Sequence, residues 1–221
     1  MRDRILQKII AHQSKWIADT LRKTAPYEKD FLGLKLTVFP QVFPPCGDSR
    51  LLGKCLKIKT GSVVLDMGSG SGAQALIALK GGAQKVVATD ISPIAVENIK
   101  WNARKFSFED KIDIRYGALF KPIRKGEIFD VIIFNPPFLD FPPGGIFEKS
   151  VRDKGLLTTR MFFKYARNYL KKSGTIFMVF ANWGKLSLIH SLAKTHGYKI
   201  KKLDEAISGV EEYVAYSLKI K

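Results

Sequence analysis

Cysteine and histidine are scarce in this chain, and long apolar runs are missing from it. Its 221 residues include two cysteines, Cys46 and Cys55, and three histidines. Two thiols cannot build a disulfide framework and their spacing fits no zinc pattern, so we expect reduced thiols and no metal site. No stretch reaches the roughly 18 to 20 continuous apolar residues of a membrane helix, and the amino terminus shows no signal-type apolar core. We therefore expect a cytoplasmic protein without a membrane span.

Acidic residues are in the minority. The chain has 20 Asp plus Glu against 37 Lys plus Arg, which gives a formal net charge of +17. A positive field of this size attracts polyanions by steering and counterion release. The charge therefore suggests a ribosomal or nucleic-acid environment. The alternative is a solvated lysine-rich surface, because the basic residues are dispersed and form no arginine-rich tract.

Short β-rich runs alternate with helical segments from residue 60 onwards. This alternation predicts a parallel sheet with crossover helices. Two further runs, Tyr198 to Leu203 and Tyr213 to Ile220, predict a terminal antiparallel hairpin. The predicted strands are Val63 to Met67, Lys85 to Asp90, Ile112 to Tyr116, Phe129 to Phe134 and Gly174 to Phe180, and the predicted helices cover 72–80, 93–106, 155–171 and 184–197.

The first 38 residues are predicted to form a helical extension and linker, before a main domain over residues 39–221. Apolar residues at helical spacing predict a helix over residues 2–24, and residues 31–47 are predicted to be a linker folded over the core. The helix either packs across the main domain or acts as a lid that recruits substrate. Its apolar stripe consists of Ile5, Leu6, Ile9, Ile10, His12, Trp16, Ile17 and Leu21.

A glycine-rich segment follows the first predicted strand of the sheet. It reads Val64-Leu65-Asp66-Met67-Gly68-Ser69-Gly70-Ser71-Gly72 and leads into a predicted helix. Glycines allow positive φ and close approach of a ligand to the backbone, and the first N–H groups of a helix can bind a carboxylate or a phosphate. Asp90 ends the next strand, where a carboxylate can accept hydrogen bonds from ribose hydroxyls. The pattern predicts a ligand that contains a nucleoside.

The same glycines also satisfy a dinucleotide-binding pattern. Gly68, Gly70 and Ala73 fit G-x-G-x-x-G/A, and Asp90 lies at a suitable distance along the chain. Asp66, however, lies two residues before the first glycine and would place a carboxylate near a pyrophosphate. That carboxylate would instead attract the ammonium group of a methionine. Charge therefore favours S-adenosylmethionine over a nicotinamide cofactor.

The turn Asn135-Pro136-Pro137-Phe138 follows the apolar run Val131 to Phe134. Strand ends of this kind hold ligands in open α/β sheets. The two prolines donate no backbone hydrogen bond and fix φ near about −65°, so the turn is stiff and its carbonyls can accept. An amide oxygen, a rigid carbonyl and an aromatic face together suit a planar NH2 group.

These motifs resemble those of the class I S-adenosylmethionine-dependent methyltransferases, in which V-L-D-x-G-x-G-x-G, an acidic residue at the next strand end and N-P-P-F occur in this order. Within that family the chain is similar to the small N-methyltransferases with an N-P-P-[YF] turn. These include the HemK-type release-factor glutamine methyltransferases and enzymes that modify amines of rRNA or DNA bases. The segment Pro45-Cys-Gly-Asp48-Ser49 also resembles the Pro-x-x-Asp-[ST] segment that lies over the cofactor in HemK-type enzymes.

The resemblance implies a fold, a cofactor and a set of site residues. The expected fold is α/β, with a Rossmann-like, doubly wound, seven-stranded, mostly parallel sheet, a C-terminal antiparallel hairpin and an N-terminal helix. The expected cofactor is S-adenosyl-L-methionine. The implied catalytic residues are Asn135, Pro136, Pro137 and Phe138. The implied cofactor-binding residues are Asp66, Gly68, Ser69, Gly70, Gly72, Asp90, Ile91, Gly117, Ala118 and Asn135.

Two departures from the family pattern bear on recognition. Members often have an acidic residue after the third strand that reads the adenine amine, whereas this chain has Ala118. Either backbone groups near Gly117 and Ala118 or another, unidentified side chain is expected to read it. HemK-type enzymes usually have tyrosine at the position of Phe138, whereas phenylalanine is common in rRNA methyltransferases with this turn.

The favoured substrate is the side-chain amide of a protein glutamine, as in release-factor methylation. The alternative is an exocyclic amine of an RNA or DNA base. In either case Asn135 Oδ1 and the Pro136 carbonyl would accept hydrogen bonds from the two N–H groups of the substrate, and Phe138 would stack on the substrate. The apolar loop from Leu139 to Gly145 is either a substrate-binding lip or a plain surface connection.

Overall fold

The computed structural model describes residues 2–182, 186–208 and 211–221. The helices are α1 (Arg2–Leu21), α2 (Gly47–Cys55), α3 (Ala73–Lys80), α4 (Pro93–Lys105), α5 (Leu157–Ala166) and α6 (Leu186–Thr195). The strands are β1 (Tyr27–Phe31), β2 (Leu34–Val38), β3 (Val63–Met67), β4 (Lys85–Asp90), β5 (Ile112–Tyr116), β6 (Phe129–Phe134), β7 (Leu170–Ala181), β8 (Tyr198–Ser208) and β9 (Glu211–Ile220).

Seven of these strands form one sheet in the order β5-β4-β3-β6-β7-β9-β8. Neighbours from β5 to β7 run parallel, and β9 is antiparallel to both β7 and β8. The chain order reverses at β3, which lies between β4 and β6, and ligands of open α/β sheets bind at such a reversal. The predicted fold, with its parallel centre and antiparallel terminal hairpin, is therefore confirmed.

The boundaries of β3, β4, β5 and β6 agree with the sequence prediction, whereas the later strands are longer than predicted. β7 starts at Leu170 instead of Gly174, because its first residues pair with β6 across an irregularity in register. Lys172 and Ser173 are exposed there and interrupt the apolar pattern on which the prediction relied. The last predicted helix begins at residue 184, and residues 184 and 185 lie outside the described ranges.

A β-hairpin that the sequence did not predict lies between α1 and α2. β1 and β2 pair antiparallel, with Phe31 opposite Leu34. The two turn residues, Leu32 and Gly33, have φ values of 48° and 78°, as the favoured two-residue hairpin turns require. The usual signal for such a turn is Asn-Gly or Asp-Gly. Leu-Gly lacks that signal, and β1 itself reads as a polar segment, YEKDF.

Two buried asparagines of α4 bind this hairpin, and one of them also reaches the glycine-rich segment. Asn102 Oδ1 accepts from Thr37 N at 3.0 Å, and Asn102 Nδ2 donates to Thr37 O at 2.8 Å and to Ser71 O at 2.9 Å. Asn98 Nδ2 also donates to Thr37 O, at 2.8 Å. Both side chains are fully buried. The asparagines thus supply the hydrogen bonds that a neighbouring strand would otherwise give to β2.

The main core joins the central strands to the helices. Leu65 and Ile132 of the sheet form one buried cluster with Leu76 of α3, Ile99 of α4 and Phe162 of α5. This cluster fixes the strand ends relative to the helices that follow them. Within the described ranges, no helix combines the length and the apolar character that crossing a membrane requires.

Helix α1 packs against the loop that follows β6. Ile17 is buried in a small cluster with Leu139, Phe147 and Val151. Of the other predicted stripe residues, His12 is exposed and Leu21 is 42% exposed. The side chains of Ile5, Leu6, Ile9 and Ile10 lie outside the described residues. The second half of α1 therefore covers the loop predicted to form a substrate lip.

Candidate active site

The glycine-rich loop leaves β3 and turns back over the end of β4. Gly68 N and Ser69 N both donate to Thr89 O, at 2.8 Å and 3.0 Å. Gly68 and Gly70 have φ values of 68° and 57°, which L residues with a side chain rarely adopt. A Cβ at Gly68 would have no neighbour within 4 Å. The loop is therefore fixed by its backbone, with space beside its first glycine.

Gly72 has a different position from the other two glycines. It precedes α3 with a φ of 84°, and a Cβ built on it would lie 3.3 Å from Ile99 Cγ2. It does not line the cavity described below. Gly72 thus lets α3 start close to α4, and its predicted contact with the cofactor stays a prediction.

Two buried carboxylates flank the loop. Asp66 Oδ2 accepts from Ala75 N at 3.0 Å, and burial raises the pKa of Asp66 to about 7. Asp90 accepts from Gly70 N at 2.9 Å and from Ser92 N at 2.8 Å, one bond to each oxygen. Burial also raises the pKa of Asp90. Each carboxylate oxygen of Asp90 retains a second lone pair that can accept from a ribose hydroxyl.

The Asn-Pro-Pro-Phe turn lies where β6 ends, beside the start of α2. Asn135 Nδ2 donates to Asp48 Oδ2 at 3.0 Å and to Ser49 Oγ at 3.3 Å. Asn135 Oδ1 is buried and accepts no hydrogen bond from the described residues. A buried carbonyl oxygen without a donor is costly. The turn therefore presents an acceptor that a substrate N–H group can satisfy.

Asp48 is the group that engages this amide. It is 3% exposed, and its other oxygen, Oδ1, accepts from Ser49 N at 2.6 Å and from Ser49 Oγ at 3.2 Å. Burial raises the pKa of Asp48, and the hydrogen bonds from Asn135 and Ser49 oppose that rise. The sequence placed Asp48 and Ser49 only in a segment over the cofactor, without a link to Asn135.

Phe138 is largely enclosed by protein. It is 7% exposed, and its ring lies 5.8 Å from that of Phe180 in an edge arrangement and 6.3 Å from that of Tyr213. Phe138 lines the cavity with the remainder of its surface. Its predicted stacking on a substrate stays a prediction, and little of the ring is accessible for it.

A cavity of about 670 Å³ joins these groups. It runs from the glycine-rich loop to the turn at Asn135 and to the strand β9. Every predicted site residue except Gly72 contributes to its lining. Those lining residues are Asp66, Gly68, Ser69, Gly70, Asp90, Ile91, Gly117, Ala118, Asn135, Pro136, Pro137 and Phe138.

Residues from both ends of the chain complete the cavity, and sequence reasoning missed them. Glu211 of β9 is 6% exposed and accepts from Gln13 Nε2 of α1 at 2.6 Å, while Tyr213 OH donates to its other oxygen. Trp16 of α1 packs on Phe43 and Phe147, with ring centroids 5.3 Å and 6.2 Å away. The apolar stripe that contains Trp16 predicted packing of α1, but nothing in the local sequence indicates that Gln13 and Glu211 bond to each other or that these residues line the cavity.

The cavity has an acidic interior although the whole chain is basic. Asp48, Asp66, Asp90 and Glu211 all line it and are buried or nearly so. The lysine and arginine residues of the lining come from one segment, namely Lys149, Arg152 and Lys154. Buried carboxylates oppose a pyrophosphate and attract a cationic ligand. The residues therefore fit a nucleoside with a cationic methionine better than a dinucleotide.

The family comparison agrees with this chemistry. Residues 47–202 match the model of the family described as Methyltransferase small domain. A protein of Methanocaldococcus jannaschii with the provisional name protein N5-glutamine methyltransferase is 32% identical over 179 residues, which cover 76% of this chain and 87% of that protein. A release factor glutamine methyltransferase of Aliivibrio fischeri is 30% identical over 82% of this chain and 68% of its own length.

Solved structures show the same fold at lower identity. The Thermus thermophilus 16S rRNA N2 methyltransferase, solved with AdoMet and guanosine, superposes with a TM-score of 0.68 and 23% identity, over 89% of this chain and 50% of that chain. A ribosomal protein L11 methylase of Lactobacillus delbrueckii gives a TM-score of 0.62 and 20% identity, over 80% and 81% of the two chains. At these identities the likeness concerns the fold alone.

Proposed function

This chain belongs to the Methyltransferase small domain family and is an S-adenosylmethionine-dependent N-methyltransferase, and from that premise we propose that it methylates the side-chain amide of a protein glutamine. The observation that carries the proposal is the orientation of Asn135. Its buried Oδ1 accepts no hydrogen bond from the described residues, whereas its Nδ2 is engaged by Asp48 and Ser49. This orientation favours a substrate that donates a hydrogen bond to Asn135 Oδ1.

A primary amide fits this acceptor. One N–H of the substrate amide would donate to Asn135 Oδ1 and the other to the carbonyl of Pro136, the next residue of the turn, which also lines the cavity. Two acceptors in these positions fix the plane of the amide and stabilise positive charge that develops on its nitrogen. When bound, S-adenosylmethionine supplies an electrophilic methyl group on a sulfonium sulfur. The residues themselves contribute orientation and exclusion of water more than acid or base chemistry.

The surroundings of Phe138 favour an amide over a base. A nucleobase would gain most from a broad aromatic face on which to stack. Phe138 instead packs against Phe180 and Tyr213 and is only 7% exposed. An amide is small enough to bind between Asn135 and Pro136 without that face. The names of the two relatives above, which concern glutamine methylation, agree with this choice.

An exocyclic amine of an RNA or DNA base is the second candidate. The net charge of +17 favours a polyanionic partner. Lys149 and Lys154 line the cavity and would meet the phosphates of a nucleic acid that reached it. The two candidates share the reacting group, a planar NH2, and differ in the molecule that carries it.

The experiment compares the two substrates directly. A glutamine-containing fragment of a translation release factor and a structured RNA are each incubated with methyl-labelled S-adenosylmethionine, and mass spectrometry then locates the methyl group. We expect methylglutamine in the peptide, and a loss of rate of about 10²- to 10³-fold in Asn135→Ala. Asn182→Ala is the matched control, because Asn182 also donates to a carboxylate, Glu212, but lies outside the cavity. Methylation of RNA alone would refute the choice of a protein amide.

A further inference from the structure

Asp48 is a buried carboxylate whose hydrogen-bond partners are neutral. Its two oxygens accept from Asn135 Nδ2, Ser49 N and Ser49 Oγ, at 2.6 to 3.2 Å. An isolated buried carboxylate is unfavourable unless such bonds compensate its lost hydration. It also lies in the first turn of α2, whose Leu51 and Leu52 are buried in the main core. Its position is thus fixed independently of the turn at Asn135.

The charge of Asp48 determines which way the Asn135 amide faces. The oxygen and nitrogen of an asparagine amide have nearly the same shape, so packing alone does not distinguish the two orientations. An ionised carboxylate only accepts hydrogen bonds. If the amide turned by 180°, Asn135 Oδ1 would face Asp48 Oδ2 and both would be acceptors. The turned amide would also lose the bond from Asn135 Nδ2 to Ser49 Oγ.

We propose that Asp48 is a positioning residue that holds Asn135 with Oδ1 directed at the substrate nitrogen. The proposal rests on the proposed amide methylation and adds the device that makes Asn135 an acceptor there. A hydrogen bond to a charged group stabilises the observed orientation by about tenfold to a hundredfold over the turned one. Without Asp48, the turned amide would present Nδ2 to the substrate, and two donors would then oppose each other.

Ser49 supports the same arrangement. Its hydroxyl donates to Asp48 Oδ1 and accepts from Asn135 Nδ2, which closes a ring of three side chains. Its backbone N–H also donates to Asp48 Oδ1. Loss of the Ser49 hydroxyl would leave the bond from Asn135 to Asp48 intact. We therefore expect Ser49→Ala to weaken the orientation less than Asp48→Ala does.

A double-mutant cycle separates positioning from a merely structural role. Asp48→Ala should lower kcat for the glutamine peptide by about tenfold to a hundredfold, with a smaller change in KM and in cofactor affinity. If Asp48 acts through Asn135, the double variant Asp48→Ala/Asn135→Ala should be no slower than Asn135→Ala alone. Effects that multiply in the double variant would overturn the proposal. Asp130→Ala is the control, because Asp130 also accepts from a backbone N–H and lies outside the cavity.

A second measurement reads the orientation without any turnover. The side-chain NH2 of Asn135 can be followed by NMR in protein labelled at asparagine, with Asn135→Ala giving the assignment. We expect slowed exchange with solvent in the wild type, and exchange at least tenfold faster in Asp48→Ala but not in Asp130→Ala. Fast exchange in the wild type would overturn the proposal. If Asp48→Ala does not fold, Asp48→Asn replaces it. This variant should give intermediate exchange, because the new amide can accept from Asn135 Nδ2 in the observed orientation or donate to Asn135 Oδ1 in the turned one.

The two measurements also separate this inference from the proposed function. If the wild type methylates no glutamine peptide, the proposed function fails, and the NMR measurement still decides whether Asp48 orients Asn135. If methylation occurs but kcat is insensitive to Asp48→Ala, the proposed function stands and the positioning role is refuted.

Discussion

Ionisation of Asp66 is expected to make cofactor binding dependent on pH. Burial raises the pKa of Asp66 to about 7 in the protein without ligand, so the carboxyl is half protonated near neutrality. A cationic ammonium beside it would favour the ionised form. Binding should therefore release a proton at pH values below about 7, and the affinity for S-adenosylmethionine should fall as the pH decreases.

The size of the effect follows from the fraction of ionised Asp66. With a pKa of about 7, that fraction is about three quarters at pH 7.5 and about one tenth at pH 6. The observed affinity should thus decrease about eightfold over this range, or about 1.2 kcal/mol. At pH 7.5 the α-amino group of the cofactor, with a pKa of about 7.7 to 8.0, is itself about a quarter to two fifths neutral, which offsets part of the eightfold decrease.

Isothermal titration calorimetry in buffers of different ionisation enthalpy measures both the affinity and the proton release. Asp66→Asn keeps an oxygen that can accept from Ala75 N but cannot ionise, so its profile should be flatter than that of the wild type. The comparison is needed because Asp48, Asp90 and Glu211 face the same cavity, and burial raises the pKa of Asp48 and Asp90 as well. An equal slope in Asp66→Asn would refute the assignment to Asp66.

Three further variants or reactions test the packing around the site. Gly72→Ala should lower the free energy of unfolding by about 1 kcal/mol more than Gly61→Ala does, as measured by thermal denaturation. Both glycines have a φ of 84°, but only at position 72 would the new Cβ press against Ile99. Alkylation of Cys46 by iodoacetamide should be about 10³-fold slower in the native than in the unfolded protein, because burial and the nearby Asp48 raise the pKa of Cys46 to about 12. Peptide mapping measures the two rates of alkylation. Trp16→Ala removes the contacts with Phe43 and Phe147, so it should speed backbone amide exchange in residues 11–21 and have little effect on exchange in the central sheet. Uniformly faster exchange throughout the protein would contradict a local role of Trp16.

The central part of the fold could be predicted because buried parallel strands are continuous apolar runs with sharp ends. Val63–Met67 and Phe129–Phe134 each lead directly into a motif that ends the strand sharply, closely spaced glycines in one case and two consecutive prolines in the other. Strand order then follows from the doubly wound pattern, which places both motifs at the carboxyl ends of neighbouring strands, β3 and β6. Most of the cavity lining near the glycine-rich loop could be predicted for this reason.

The substrate side was less predictable because it depends on contacts between distant parts of the chain. Glu211 begins a strand and looks like an exposed polar residue, and only the packing of α1 shows that it is buried and bonded to Gln13. Likewise, the motifs that contain Asp48 and Asn135 were both visible in the sequence. Their hydrogen bond, across 87 positions of the chain, depends on how α2 packs beside the end of β6.

The side-chain amide of Asn102 connects residues outside the family-matched segment to the glycine-rich loop. One Nδ2 donates both to Thr37 O in the hairpin and to Ser71 O in the glycine-rich loop, and the family match begins only at residue 47. A substitution in the hairpin that moves Thr37 O is therefore expected to displace Ser71 as well, although the hairpin itself contributes no residue to the cavity lining.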